Sequence, residues 1–283
     1  MLVLWLAVDG GGSGCRAVVA DPSGRILGQG QAGAANIMTD LEAARANILS
    51  AAGAALARSG QAAVLADLGA VLGLAGANVA GNAAGLAARL PFARVRVETD
   101  ATIALIGAHQ GQDGIAAMIG TGSVFASQRG GVRRLTGGWG LVLGDEGSAA
   151  WIGRAALAQV LHAADGLVPR SPLLAALGDR LGGADAVVSF AKGASPGDLA
   201  GLARDVVAAR DDPAAARILS AADRWIAREI DHLQVGGALP VAFLGGLGAV
   251  FASRLAPRYP GLIRAAMGSA LDGALWLARV EGW

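Results

Sequence analysis

The amino-acid sequence predicts an α/β protein made of two similar halves with a cleft between them. Short apolar segments that end in glycine-rich turns alternate with longer helical segments, which is the pattern of buried strands followed by helices. The succession of an apolar strand, a Gly/Ser/Thr turn and a second strand occurs twice, at Val8–Val18 and at Met118–Ala126. This repetition indicates a duplicated fold.

The composition favours a folded protein and excludes several classes. Of the 283 residues, 54% are hydrophobic and only 16% are charged, whereas a disordered chain is poor in apolar residues and strongly charged. The net charge of +1 gives no overall attraction to nucleic acid or to anionic lipid. The single cysteine, Cys15, fits a reducing compartment. Two uncharged stretches, Leu68–Ala88 and Leu233–Ser253, contain polar residues and several glycines, so we expect no membrane span and a cytoplasmic location.

The first half is expected to open with a three-stranded meander, because the turn sequence Asp21-Pro22-Ser23-Gly24 separates two short strand segments. Asp40 is placed to cap the helix that follows. The predicted elements of this half are strands Leu2–Val8, Arg16–Ala20 and Arg25–Gln29, helix Asp40–Arg58, strand Ala70–Leu74, helix Ala80–Leu90, strand Val95–Val97 and helix Asp100–His109.

The second half opens in the same way and then becomes mainly helical. The sequence predicts strands Ile115–Ile119, Val124–Gln128 and Val132–Leu135, helices from Gly147 to about Gln234 with breaks at Gly166–Pro172, Gly182-Gly183, Gly193–Gly197 and Asp211–Pro213, strand Val241–Leu244 followed by a glycine turn and a helix, and a closing helix Gly268–Arg279. At one of these breaks Ser195 is expected to cap a helix that begins at Pro196.

Two glycine-rich turns are the first candidates for chemistry. In Asp9-Gly10-Gly11-Gly12-Ser13-Gly14, consecutive glycines let backbone N–H groups face an anion, and Asp9 could hold a magnesium ion through water. The alternative is an ordinary hairpin turn, which does not need three adjacent glycines. Gly120-Thr121-Gly122-Ser123 has the same character at the equivalent place in the second half. Together the two turns predict a clamp for a polyphosphate.

Acidic residues occur at two further turns. Thr99-Asp100 follows a strand and precedes a helix, so either residue could cap that helix, or Asp100 could be a carboxylate at a ligand-binding sheet edge that accepts a proton from a hydroxyl group. Asp145 and Glu146 stand between glycines shortly after Gly137-Gly138-Trp139-Gly140, and they could cap a helix or face a polar ligand.

Other patterns are set aside. Gly28, Gly30 and Gly33 match the dinucleotide-binding spacing, but they continue a strand and open no helix, so this match is interpreted as accidental. The histidines and the single cysteine offer no metal-ligand spacing. The one lysine, Lys192, stands outside every strand–loop motif, which excludes a Walker loop and the protein-kinase fold.

The set of motifs resembles the N-acetylglucosamine kinase group, which lies with the bacterial glucosamine kinases and the benzoyl-CoA-reductase-type ATPases within the actin/hexokinase/Hsp70-like superfamily. The resemblance rests on the two glycine turns, on Gly137-Gly138-Trp139-Gly140, on Gly144–Ser148 with the following Ala149–Gly153, and on Gly245-Gly246. It implies an actin-like ATPase fold of the ribonuclease H-like type, with two lobes and a central cleft. The expected lobes are residues 1–110, with helix 268–283 packed back on them, and residues 111–267.

The resemblance also implies roles for single residues. Asp9 would organise magnesium, and Asp100 would be the general base on the sugar hydroxyl group. The residues implied for ATP are Gly11, Gly12, Ser13, Arg16, Thr121, Gly245 and Gly246, and those implied for the sugar are Asn36, Asp100, Ser123, Gly138, Trp139 and Asp145. Ser13 and Arg16 stand where the family often has Thr and a nearby basic residue.

The expected activity is phosphorylation of glucosamine or N-acetylglucosamine by ATP and Mg²⁺, at the 6-hydroxyl group. The alternatives are an ATPase-type activator or a non-catalytic regulator of the same fold. The activators carry cysteines that bind an iron–sulfur cluster, whereas this chain has only Cys15. The resemblance further implies a homodimer, and neither nucleic acid nor a membrane is an expected partner.

Overall fold

The computed structural model describes residues 4–78 and 81–280, and the chain divides into two compact units. Unit 1 takes in the described residues of Met1–Ala116, Ala126–Arg133 and Ala265–Trp283. Unit 2 consists of Ala117–Phe125 and Arg134–Arg264. None of the described helices is long and apolar enough to cross a membrane.

The first sheet has five strands in the order β3-β2-β1-β4-β5. The strands are β1 (Leu4–Gly10), β2 (Cys15–Ala20), β3 (Ile26–Ala32), β4 (Leu68–Leu74) and β5 (Arg94–Thr99). The strands β1 to β3 form an antiparallel meander, whereas β1, β4 and β5 are parallel neighbours. Gly10 pairs with Leu74, which pairs with Thr99, so the three parallel strands end level with one another.

Helices cover both faces of this sheet. They are α1 (Leu41–Ser59), α2 (Asn82–Ala87), α3 (Asp100–His109) and the closing helix Ala270–Val280. One buried cluster joins the sheet to α1 and includes Leu6, Val8 and Ile48. A second cluster on the other face joins Ala7 to Ile103 of α3 and to Leu277 of the closing helix. The sheet is therefore a central layer, and its strands are apolar on both faces.

Glycines of β3 allow α1 to approach closely. A Cβ atom on Gly28 would lie 2.2 Å from the carbonyl oxygen of Ala55, and one on Gly30 would lie 2.0 Å from that of Ala51. Both contacts are far below van der Waals distance, so only glycine fits at these two positions. The dinucleotide-like spacing of these glycines thus serves strand–helix packing.

The second sheet has four strands in the order β8-β7-β6-β9. They are β6 (Gly114–Ile119), β7 (Ser123–Arg129), β8 (Val132–Gly137) and β9 (Val241–Leu244), and Val241 also forms a parallel bridge to Ile263. The helices of this half are α4 (Ala149–Ala164), α5 (Pro172–Leu181), α6 (Ala184–Gly193), α7 (Pro196–Ala208), α8 (Pro213–Leu233) and α9 (Gly248–Leu255). The closing helix of the chain is α10.

The predicted order of strands and helices is confirmed, with small differences. The helix expected at Ala80–Leu90 is the shorter α2, with Ala80 outside the described residues, and the expected first strand includes Leu2, which is also outside them. A 3₁₀ turn at Leu65–Asp67 was not expected. It forms because the carboxylate of Asp67 accepts a hydrogen bond from the N–H of Val64, which is a local side-chain contact rather than a periodic pattern.

Candidate active site

Two carboxylates lie at the carboxyl edge of the first sheet. Asp9 is the penultimate residue of β1, and Asp100 is the first residue of α3, directly after β5. The strand β4 runs between β1 and β5, and the register of the three strands brings their ends level. This is the edge where open α/β sheets bind ligands.

Asp100 does not cap α3, although the sequence allowed either Thr99 or Asp100 to do so. The hydroxyl oxygen of Thr99 accepts a hydrogen bond from the N–H of Thr102 at 3.0 Å, so Thr99 caps α3. The carboxylate of Asp100 accepts a bond from the N–H of Ala101 at 2.8 Å. Burial raises the pKa of Asp100, the nearby charge of Asp9 raises it further, and the backbone N–H groups of Ala101 and Asp100 oppose both effects. A partly buried carboxylate with a raised pKa is suited to accept a proton.

Asp9 forms an ion pair with Arg16. The two residues face each other across β1 and β2, and Arg16 Nη2 lies 2.5 Å from Asp9 Oδ2. The side chain of Asp9 is only 15% exposed, whereas that of Arg16 is 60% exposed. The pair occupies one carboxylate oxygen of Asp9 and leaves the guanidinium group accessible.

The first glycine turn exposes its backbone. The N–H of Gly11 donates to the carbonyl oxygen of Gly14 at 2.9 Å, which closes the turn, while Gly12 and Ser13 are exposed. Within residues 4–78 and 81–280, the N–H groups of Gly12 and Ser13 donate to no protein group. Cys15, the next strand residue, is buried, and burial together with the charge of Asp9 raises the pKa of its thiol to about 12.

Asn36 lies at the same sheet edge, in a loop tied to the strand ends. The N–H of Ala35 donates to the carbonyl oxygen of Gly11, and the N–H of Ile37 donates to that of Ala75, just past β4. The side-chain oxygen of Asn36 accepts bonds from the N–H groups of Met38 and Thr39. The side-chain oxygen of Asn36 therefore stabilises the loop that contains it. These two hydrogen bonds do not involve the side-chain nitrogen.

The second glycine turn supports the start of α4. The N–H of Ala149 donates to the carbonyl oxygen of Gly120 at 2.9 Å, and the N–H of Ala150 donates to that of Thr121 at 3.2 Å. Ser123 is buried, and its hydroxyl group donates to the carbonyl oxygen of Glu146 at 3.0 Å. The turn and the acidic segment that precedes α4 thus form one bonded assembly in unit 2.

Asp145 is held in that assembly in an unusual backbone conformation. Its φ of 55° lies in the left-handed region, which L side chains rarely adopt. Its carboxylate accepts hydrogen bonds from the N–H groups of Gly140 and Ser123. Burial raises the pKa of Asp145, these two N–H groups oppose the effect, and the charge of Glu146 adds to it. A Cβ atom on Gly122 would lie 2.6 Å from Asp145 Oδ2, so this glycine is needed for the carboxylate to approach.

The segment Gly137–Gly140 exposes an aromatic ring. Gly138 has a φ of 71°, and its N–H donates to the carbonyl oxygen of Ser123 at 2.9 Å. The side chain of Trp139 is 70% exposed. An exposed indole beside polar groups is the usual platform for the apolar face of a sugar ring.

Gly245 and Gly246 follow β9 and differ from one another. Gly245 has a φ of 84°, and a Cβ atom there would lie 2.5 Å from the carbonyl oxygen of Ile119. The N–H of Leu247 donates to the same oxygen at 2.9 Å. Gly246 is exposed, with open space where a Cβ atom would stand. Gly245 is thus required by packing against β6, whereas Gly246 is free to approach a ligand.

Two cavities in unit 2 bring in residues that the motifs did not indicate. One is lined by Trp139 together with Leu135, Thr136, Gly137, Arg228, Glu229 and His232, and the other by Ser123 and Asp145 together with Phe125, Gly137, Glu146, Trp225 and Glu229. Trp225, Arg228, Glu229 and His232 belong to α8, far from the motifs in sequence. Nothing in the sequence marks this face of α8, because its amphipathic pattern is that of any packed helix.

Four strands of the first sheet have the same order as the four strands of the second, and each sheet has a glycine turn after its first strand, so the duplicated α/β fold is confirmed. The glucokinase of the ROK family from Streptomyces griseus has the same fold, with a TM-score of 0.57 and 22% identity over 99% of this chain and 100% of that one. The sequence profile of the BadF/BadG/BcrA/BcrD ATPase family matches residues 6–249, and the chain belongs to this family.

Two relatives are similar over nearly their whole length. Glucosamine kinase GspK of Vibrio cholerae is 30% identical over 97% of this chain and 95% of its own. A Chromobacterium violaceum protein described as a candidate N-acetylglucosamine kinase has a solved structure with a TM-score of 0.87 and 35% identity, which covers 98% of this chain and 99% of that one. The resemblance seen in the motifs is thereby confirmed.

Proposed function

We propose that this protein is an ATP-dependent amino-sugar kinase, which transfers the γ-phosphoryl group of ATP to the 6-hydroxyl group of glucosamine or N-acetylglucosamine. The observation that carries the proposal is Asp100, a partly buried carboxylate with a raised pKa at the carboxyl edge of the first sheet, where Thr99 and not Asp100 caps α3. The two full-length relatives, named for kinases of these two sugars, support the same activity.

Asp100 acts as the general base. Its carboxylate accepts the proton of the sugar hydroxyl group while that oxygen forms a bond to the γ-phosphorus, and the bond from this phosphorus to the bridging oxygen of ADP breaks. Because burial raises the pKa of Asp100, its carboxylate is a stronger base than an exposed one. Phosphoryl transfer otherwise depends on positioning and on charge stabilisation.

ATP is bound mainly by backbone groups, since the one lysine of the chain lies outside the motifs. In unit 1, the unpartnered N–H groups of Gly12 and Ser13, with Gly11 and the exposed guanidinium of Arg16, contact phosphate oxygens. In unit 2, Thr121 contacts the phosphates, and Gly245-Gly246 lies under the adenosine. The open space at Gly246 supports this last assignment.

The donor set at Asp9 fits a magnesium ion. Mg²⁺ is usually held by one or two carboxylates together with substrate phosphates and water, rather than by a protein cage. Asp9 offers one carboxylate oxygen that the ion pair with Arg16 does not use. When bound, the ion would offset charge on the phosphate oxygens.

The amino sugar is bound by Asn36 and Asp100 in unit 1 and by Ser123, Gly138, Trp139 and Asp145 in unit 2. The exposed indole of Trp139 supports stacking against the sugar ring, and the fixed carboxylate of Asp145 supports hydrogen bonds from sugar hydroxyl groups. The hydroxyl group of Ser123 already donates to Glu146, so Ser123 contributes its remaining acceptor capacity to the sugar.

A coupled assay of ADP release with glucosamine, N-acetylglucosamine and glucose tests the proposal. We expect sugar-dependent turnover that Asp100→Asn lowers by about 10²–10⁴-fold. Asp185→Asn is the matched control, since Asp185 is an exposed acid in the first turn of α6 and should leave turnover unchanged. ATP hydrolysis that no sugar stimulates, or full activity of the Asp100 variant, would contradict the proposal and favour the activator or regulator class.

A homodimer, a cytoplasmic location and the absence of nucleic-acid or membrane partners stay predictions from the sequence. An iron–sulfur activator role is disfavoured because the single cysteine of the chain is buried with a raised pKa, which makes it a poor cluster ligand.

A further inference from the structure

Glu229 of α8 stands where the two cavities of unit 2 meet. The larger cavity, of about 360 Å³, is lined by Trp139 and by three α8 residues that include Glu229. The smaller one is lined by Asp145 and also by Glu229, and Gly137 contributes to both. The cavities therefore share Glu229, and each also contains a residue that we have assigned to the sugar.

The charges at the smaller cavity are unbalanced toward negative. Asp145, Glu146 and Glu229 line the smaller cavity, all of them partly buried. In the described part of the chain, neither Glu146 nor Glu229 has an ion-pair partner. The larger cavity is lined by Glu229 together with Arg228 and His232, and the guanidinium carbon of Arg228 lies 5.1 Å from the centre of the Trp225 ring in a cation–π contact.

Partly buried carboxylates without a counter-ion favour a cationic ligand. Placing a positive group beside them restores the interaction energy that the carboxylates lost when they left water. At Asp145, burial and the nearby charge of Glu146 both raise the pKa, so the charged form of this carboxylate is disfavoured. An amide in the same place would bring neither a charge nor more than one N–H donor to Glu229.

We propose that Glu229 binds the protonated 2-amino group of glucosamine, and that the free amine is therefore preferred over the acetylated sugar. This inference rests on the proposed function, because it assigns a substrate preference to the same sugar site. Glu229 is a specificity-determining residue and takes no part in phosphoryl transfer.

Steady-state kinetics and calorimetric sugar binding test the inference on the wild-type protein, Glu229→Gln and Glu229→Asp. For the wild type we expect a lower KM and tighter binding for glucosamine than for N-acetylglucosamine or glucose. A charge-assisted hydrogen bond corresponds to about tenfold or more in affinity, so Glu229→Gln should raise the KM for glucosamine by at least this factor. The KM for glucose, which has no amine, should change by less than about twofold, and kcat should stay similar for both sugars. Glu229→Asp should recover part of the preference.

Glu42→Gln provides the matched control, since Glu42 is an exposed glutamate in the first turn of α1. It should leave all three sugars unaffected. Equal or better use of N-acetylglucosamine by the wild type would overturn the inference, as would a Glu229→Gln variant that weakens glucose and glucosamine equally. Both results leave the kinase activity in place, whereas the failure of the proposed function itself would appear as no turnover with any sugar.

Discussion

The two sheets share the order of four strands, and the first sheet has a fifth, but they carry different residues at the carboxyl ends of their strands. In the first sheet, β1 ends at Asp9-Gly10 and β5 leads directly into Asp100. In the second sheet, β6 ends at the apolar Ile119, and β9 leads into Gly245-Gly246. The turns differ as well, since the N–H of Gly11 closes its turn onto Gly14, three residues away, whereas that of Gly120 closes onto Gly122, two residues away.

The two halves of this duplicated fold therefore differ in their chemistry. The carboxylates that suit proton transfer and magnesium lie at the strand ends of the first sheet. The strand ends of the second sheet offer backbone groups, and the acidic residues of that half come from the segment before α4 and from α8. We therefore expect substitutions in the first sheet to affect catalysis most, and glycine substitutions in the second sheet to affect stability most.

The substitution with the greatest expected consequence is Asp100→Asn, which should change catalysis and stability in opposite directions. Burial raises its pKa, so the folded protein favours the neutral carboxyl group, and the stability that this group contributes at low pH is lost as the pH rises through its folded pKa. Asp100→Asn removes that loss, and it should raise Tm at neutral pH while it lowers kcat by about 10²–10⁴-fold.

Thermal unfolding of the wild type and of Asp100→Asn between pH 7 and pH 4 measures this linkage. The advantage of the variant in Tm should shrink as the pH falls, and kcat of the wild type should fall when Asp100 becomes protonated. A variant that is less stable than the wild type at every pH would show that Asp100 is a structural residue.

A matched pair of glycines tests the second sheet. Gly245→Ala forces a Cβ atom to within 2.5 Å of the Ile119 carbonyl oxygen at a φ of 84°, so we expect a loss of about 2 kcal/mol or more in the free energy of unfolding. Gly246→Ala meets open space and should change stability by less than about 0.5 kcal/mol, while it raises the KM for ATP. Urea unfolding measures the first effect and ADP-release kinetics the second. Equal destabilisation by both variants would contradict the assignment.

The two glycine turns provide a smaller contrast. Gly122→Ala would bring a Cβ atom to 2.6 Å from Asp145 Oδ2, and displacing this carboxylate should cost about 1–3 kcal/mol of stability and raise the KM for the sugar. Gly12→Ala, in the first turn, meets no atom within 4 Å and should leave Tm nearly unchanged. Parallel Tm and KM measurements on the two variants decide whether the turns differ as the structure indicates.

The smallest expected effect on stability is at Arg16. The side chain of Arg16 is 60% exposed, and exposed ion pairs contribute about 0–1 kcal/mol. Arg16→Ala should therefore change Tm little, and it should raise the KM for ATP because a phosphate contact is lost. Arg25→Ala is the control, since Arg25 forms an exposed ion pair with Asp21 and does not belong to the first glycine turn. Equal ATP kinetics in both variants would remove Arg16 from the nucleotide site.

Much of the fold was predictable because its signals are local. The apolar strands, the turn Asp21–Gly24 and the helix breaks all appear where the sequence predicts them. At one break the hydroxyl oxygen of Ser195 accepts a hydrogen bond from the N–H of Asp198 and caps the helix that begins at Pro196, as expected. Caps, turns and periodic burial depend on residues a few positions apart, so they can be interpreted without the tertiary structure.

The site was predictable only in part. The glycine turns, Asp9, Asp100 and Asp145 carry motif signals, but the sequence alone left open whether Asp100 caps a helix, and only the bond between Thr99 and Thr102 shows that it does not. Gly28 and Gly30 matched a nucleotide motif by spacing, whereas the structure shows that α1 packs directly on them.

The order of strands and helices, the two glycine turns and the family of the protein could be predicted from the sequence, because each of them depends on residues that lie close together in the chain. Only the folded structure shows which carboxylates are partly buried, which glycines have room for a side chain, and that Glu229 of α8 lines a cavity with Asp145. Burial and the pKa shifts that follow from it depend on distant segments that exclude water together. No pattern of neighbouring residues predicts this burial or these pKa shifts.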